Sequence, residues 1–101
     1  MHVISHKRIV DFIAEYPDSE PSLDSWYRIA RRATWRSLMQ VREQWPSAEV
    51  VGSCTVFNIS GNNYRLIAKA YYADQVILIR DILTHRDYNR NGWYGDCNYR
   101  P

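Results

Sequence analysis

The chain is poor in the features that would place it quickly. Its two cysteines, Cys54 and Cys97, lie far apart and form no C-x-x-C pair, and its three histidines have no metal-ligand spacing with them. No zinc site is therefore expected, and two free thiols in a cytoplasmic protein are the plain reading. No apolar run is long enough to cross a bilayer. The opening MHVISHKRIV lacks a long apolar core followed by a cleavage site, so no secretory leader is expected. Net charge is scarce too. Thirteen Lys and Arg against eleven Asp and Glu leave a formal +2, too little for the whole-molecule field to identify a partner.

What is present suits one compact domain over residues 1–101. Apolar residues make up 46% of the chain and aromatic ones 14%, enough for a hydrophobic core and against disorder. Charge is grouped locally. Acidic residues are prominent from Asp11 to Asp24, and arginines recur from Arg28 to Arg42 and from Arg80 to Arg90.

Periodicity orders the elements. His2 to Ser5 is β-rich and reads as a first strand, with Ser5 placed to cap a helix. Ile9, Phe12, Ile13 and Tyr16 form an apolar helical stripe that Pro17 stops. Pro21 suits the first turn of a second helix, whose buried face is Leu23, Trp26, Tyr27, Ala30 and Ala33 or Thr34. Ser37 and Gln40 have capping-box spacing before a short third helix with Leu38, Val41 and Trp45 on one face. The pattern then changes to strands at Ala48 to Val51, Thr55 to Ile59, Tyr64 to Tyr72 and Val76 to Thr84. Gly61-Asn62-Asn63 and Ala73-Asp74-Gln75 mark the turns. A strand, helices and an antiparallel meander in that order predict an α+β domain with the helices on one side of the sheet. Residues 89–101, rich in Asn, Gly, Tyr and Arg, are expected to form a loosely held tail.

Two groups of residues have chemistry to offer. In NISGNNYRLIAKAYY, Arg65 and Lys69 fall four apart on one strand and point to one face, shared with Ile67 and Tyr71. Spacing alone reads this as a solvated sheet face, with a phosphate site as the alternative. In LTHRDY, an imidazole, a guanidinium and a phenol crowd the end of the last strand at His85, Arg86 and Tyr88. Cleavage of RNA needs a base for the 2′-OH, a cation for the phosphorane and an acid for the leaving 5′-oxygen. The same residues also suit a polar strand exit. Arg31 and Arg32, with Arg28 and Arg36, make a basic helix stretch that reads as a solvated face or as an RNA contact. Trp26, Trp35 and Trp45 read as core or interface aromatics.

These segments resemble a known family. MHVISHKRIVDFIAEYP, TVFNISGNNYRLIAKAYY and VILIRDILTHRDY together are similar to HigB-family toxins of type II toxin–antitoxin systems, within the RelE-like superfamily. The resemblance runs from Met1 to about Tyr88, and the tail beyond Asn89 matches nothing. It implies a RelE-like fold with N-terminal helices against a mainly antiparallel sheet and the site on the open face. It also implies a ribosome-dependent mRNA interferase that needs neither metal nor cofactor. By the family's motifs, Arg65 holds the scissile phosphate and Lys69 assists it. His85 is the general acid or base, and Tyr88 stacks on a base or assists proton transfer. Arg86 and Arg80 are further candidates for RNA contact. By alternation Arg80 faces away from His85, which makes it a structural candidate as well. RelE carries lysines on the strand before this motif, whereas Thr55 to Ile59 holds no cation, which shifts the acid–base role toward His85. The implied partners are a HigA-type helix-turn-helix antitoxin, the ribosome with its message, and operator DNA only through the antitoxin complex. No membrane partner is expected. Two alternatives share the architecture: a ParE-like toxin that poisons gyrase by binding, and an RNA-binding module without cleavage.

Overall fold

A computed structural model describes residues 1–101. Five strands, β1 (His2–Ile4), β2 (Glu49–Val51), β3 (Cys54–Ile59), β4 (Tyr64–Tyr71) and β5 (Val76–Thr84), form one sheet in the order β1-β5-β4-β3-β2. β2 to β5 are an antiparallel meander, and β1 adds a parallel edge to β5. Helices α1 (His6–Glu15), α2 (Glu20–Arg32) and α3 (Leu38–Gln44) lie between β1 and β2 in the chain. This is the α+β, RelE-like architecture that the sequence predicts. No helix is long and apolar enough to cross a membrane.

The helical stripes close one side of the sheet. Ile9, Leu23, Trp26, Ala30 and Val41 pack with Phe57, Ile59, Leu66, Ala68, Ile77, Ile79 and Ile82 in a single core. Each large side chain buried there contributes roughly 1.5–3 kcal/mol by removal of apolar area from water. The capping geometry at Ser37 holds, since its hydroxyl accepts from the Gln40 N–H.

Two local features redirect side chains. On β5 the register jumps, pairing Ile67 with Asp81 but Ala68 with Ile79, so Arg80 is an inserted bulge residue. The bulge lets Ile79 and Ile82 both face the helices despite opposite parity. At the end of β5, Thr84 accepts from the Asp87 N–H and starts a short helix, α4 (His85–Asn89). His85, Arg86 and Tyr88 therefore sit on a helical turn rather than on a strand end.

The other side of the sheet is not open. The expected loose tail is instead folded back over it. Trp93 and Cys97 are buried with Cys54, Val56 and Ile67 in a second apolar cluster. Cys97 is joined to Cys54 by a disulfide that closes a separation of 43 residues, so the two thiols expected to be free are paired. Composition misleads here because a polar segment with few apolar anchors looks disordered, yet an indole, a covalent link and an ion pair to Arg80 seat it.

Candidate active site

Arg65 opens the chemistry of the second face. It is on β4 opposite Asn58 and Leu83, next to the β3–β4 hairpin whose tip, Ser60 and Gly61, takes positive φ. That turn brings Asn62 back to the guanidinium. Nη1 donates to the Asn62 carbonyl at 3.0 Å and to the Tyr64 carbonyl at 3.1 Å, and Nη2 donates to Asn62 Oδ1 at 3.3 Å. Asn62 Oδ1 also accepts from Asn58 Nδ2 at 3.1 Å. Only part of the fork remains for a ligand, and the residue is 9% exposed.

Tyr88 lies over this cation. Its ring centroid is 5.0 Å from the Arg65 guanidinium carbon, a cation–π contact. Trp93 stacks on the same ring at 4.9 Å and 14°, and Trp93 Nε1 donates to the Tyr88 carbonyl at 3.0 Å. Burial pushes the Tyr88 phenol up, the Glu49 carboxylate adds to this, and Arg65 opposes it. The shift makes the phenol a weaker acid than a free tyrosine, so it acts as a neutral hydrogen-bonding group.

The structure brings some predicted residues together and separates others. His85 is exposed at the start of α4, and its backbone N–H donates to the Asn63 carbonyl at 3.0 Å, which ties it to the Arg65 hairpin. Arg86 is exposed on the next position of the same turn. Lys69 shares the Arg65 face, but Ile67 lies between them under Trp93, and the Lys69 charge acts on Asp96 of the tail instead. Arg80 turns to the tail face through the bulge. Its Nε and Nη2 donate to the two Asp96 carboxylate oxygens, each at 2.7 Å. That ion pair, led by the hydrogen bond, holds the Asp96 carboxyl below its ordinary value. Arg80 does not turn away from this face as alternation predicts, because the bulge shifts parity by one. Arg31 and Arg32 end α2 and are exposed on the helical layer, across the sheet from Arg65. They are not part of this cluster.

One group escaped the sequence reading. Glu49 pairs with Val56 across β2 and β3, which puts its carboxylate on the Tyr88 side. Alternation along β2 would have flagged it only once the partner strand and its register were known. No three side chains among His, Cys, Asp and Glu converge to hold a metal ion. Arg65, Tyr88 and Glu49 gather a fixed cation, a phenol and a carboxylate on one face, with His85 exposed at the start of the adjoining helix.

Comparison with known proteins identifies the family. A protein from Escherichia coli K12 named mRNA interferase toxin HigB is 25% identical over 92 residues, spanning 88% of this chain and 88% of its own. Proteins named mRNA interferase HigB from Shigella flexneri and from Escherichia coli O6:H1 are 25% and 24% identical, with 88% and 89% of this chain covered and 88% and 90% of theirs. A model of the HigB toxin family, described as the RelE-like toxic component of a toxin-antitoxin system, matches residues 19–91, a stretch that holds Arg65, His85 and Tyr88. The chain belongs to the HigB toxin family.

Proposed function

We propose that the protein is an mRNA interferase that cuts message on the ribosome by attack of the message's own 2′-OH. The observation that carries the reading is the Arg65 guanidinium held at the hairpin by Asn62, beside a helix that starts with His85. The names of the relatives support the same reaction class.

In this mechanism the 2′-oxygen attacks phosphorus and the bond to the 5′-oxygen breaks, leaving a 2′,3′-cyclic phosphate and a 5′-hydroxyl. Arg65 meets the charge that builds on the phosphorane. His85, exposed at the start of α4, exchanges the proton at the attacking or the leaving oxygen. The Tyr88 phenol, kept protonated by burial, supplies a donor toward the phosphate. Arg86 and Lys69 add positive potential for the message, and Arg80 contributes only indirectly because Asp96 holds it. Restraint falls to an antitoxin, of the HigA helix-turn-helix type, whose complex with the toxin binds operator DNA.

The test is cleavage mapping of a defined message with purified protein, with and without ribosomes. Cuts are expected only with ribosomes, and Arg65→Ala and His85→Gln are each expected to lower the rate at least 100-fold, the usual scale for loss of such a group. Full cutting by His85→Gln would remove the imidazole from the mechanism. No cuts in any arm would favour a toxin that acts by binding, and a gyrase assay would follow.

A further inference from the structure

In the disulfide form Arg65 is too well covered to meet a phosphate. A phosphate ligand must present its fork, yet this one is 9% exposed beneath Tyr88. Tyr88 in turn is stacked by Trp93, which belongs to the tail. A ring that touches both a guanidinium and an indole is poorly placed to take an RNA base. The tail therefore bears on what reaches this site.

Its attachments are few and separable. The Cys54–Cys97 disulfide fastens one end, and around it the Ser53 N–H donates to the Cys97 carbonyl at 2.7 Å while Asn98 Nδ2 donates to Ser53 Oγ at 3.2 Å. The Arg80–Asp96 ion pair holds the middle and Trp93 the other end. Beside them lies a hollow of about 390 Å³ lined by Ile67, Leu83, Trp93 and Asp96. The apolar cluster on this side of the sheet has only five buried residues, so little area holds the segment once its covalent link is cut. Both sulfurs are buried, so a reductant reaches them when the last few residues beyond Cys97 fray.

We propose that residues 89–101 are a redox-fastened strap: the disulfide form closes the Arg65 site, and reduction of Cys54–Cys97 by a thiol reductant opens it. The proposal rests on the nuclease reading for what the open site does. The chemistry is thiol–disulfide exchange. Two reductant thiols deliver two electrons and two protons, the Cys54–Cys97 bond breaks to two thiols, and the reductant leaves as its disulfide. The released tail frees Trp93 from Tyr88, and Tyr88 then swings off the guanidinium.

The experiment uses the full chain in disulfide form, in dithiol-reduced form and as the Cys54→Ser, Cys97→Ser double variant. Arg65 is modified with phenylglyoxal and its rate read by mass spectrometry, with exposed Arg31 and Arg32 as internal references for an intact fold. The Arg65 rate is expected to rise at least tenfold in the reduced and serine forms, and ribosomal cleavage to rise with it by a similar factor. Equal Arg65 rates in all three forms would overturn the strap. Faster modification with measurable cleavage that stays level or falls on reduction would also overturn it, making the tail a support for Tyr88. Faster modification with no cleavage in any form would leave the strap standing and sink the nuclease reading, so the two failures are told apart.

Discussion

Arg65 directs most of its hydrogen bonds to its own chain. Two carbonyls and one amide oxygen fix the guanidinium, and a buried cation needs such partners because an unpaired one would cost several kcal/mol, roughly. Its remaining neighbour, Tyr88, stabilises it by about 0.5–2 kcal/mol through the ring face. The ring and the hydroxyl make separate contributions that substitution can divide. Tyr88→Phe keeps both the cation–π contact and the Trp93 stack, so it is expected to melt within a few degrees of the parent. Tyr88→Ala removes both and leaves a void, and is expected to lose about 2–4 kcal/mol. Denaturant midpoints would check this, and equal losses for the two variants would show that the ring does not stabilise the cation. The strand pattern makes the direction of Arg65 legible, since alternation alone sets it on the face away from Leu66. Its enclosure is not legible, because Asn62 reaches it through a turn and Tyr88 through a helix start.

The elements around the site act through their ends and irregularities. The β2–β3 turn passes so close to the tail that a Cβ on Gly52 would overlap the Cys97 carbonyl oxygen, and Gly52 itself has φ +59°. Gly52→Ala therefore faces both strain and clash, and a cost of at least about 2 kcal/mol is expected. Hydrogen exchange should show the loss concentrated in residues 89–101, with the helical core protected; unchanged tail protection would refute the close approach. The bulge at Arg80 gives the tail a second anchor with a pH signature. Asp96 has its folded pKa depressed, mainly by the hydrogen bond from Arg80, so its contribution is present above the ordinary aspartate value of 3.8 and is lost as pH falls below it. Tail protection, scaled for intrinsic exchange, is expected to hold from pH 7 to about 5 and to fall below 3.8, with the drop abolished in Asp96→Asn. A pH-independent tail would mean the pair does not contribute.

At the scale of the whole molecule, one sheet carries two unequal layers. The helical side holds a core of seventeen buried residues, whereas the tail side holds five. The small side depends on its covalent link. Closing 43 residues by a disulfide removes unfolded-chain entropy worth about 4 kcal/mol in the loop-closure model. Dithiol reduction is therefore expected to lower the melting temperature by more than about 10 °C while the helical core stays folded. A shift under about 2 °C would show that the link adds little to the folded state. Helices and basic residues are also distributed by layer, so Arg31 and Arg32 cannot act together with Arg65 on one ligand atom.

The sequence by itself determined the five strands and the first three helices, their order, the buried stripes of those helices and the shared face of Arg65 and Lys69. These depend on neighbours within a turn of helix or two residues of strand, where period and turn chemistry are local. The segments around Arg65 and His85 also carried the family. Tertiary structure alone decided that the second face is closed, that Cys54 and Cys97 meet, that Arg80 turns to Asp96 and that Glu49 joins the Tyr88 side. Each of these needs a register, a bulge or a contact between distant segments, and a side chain's own neighbours in sequence carry no force that sets them.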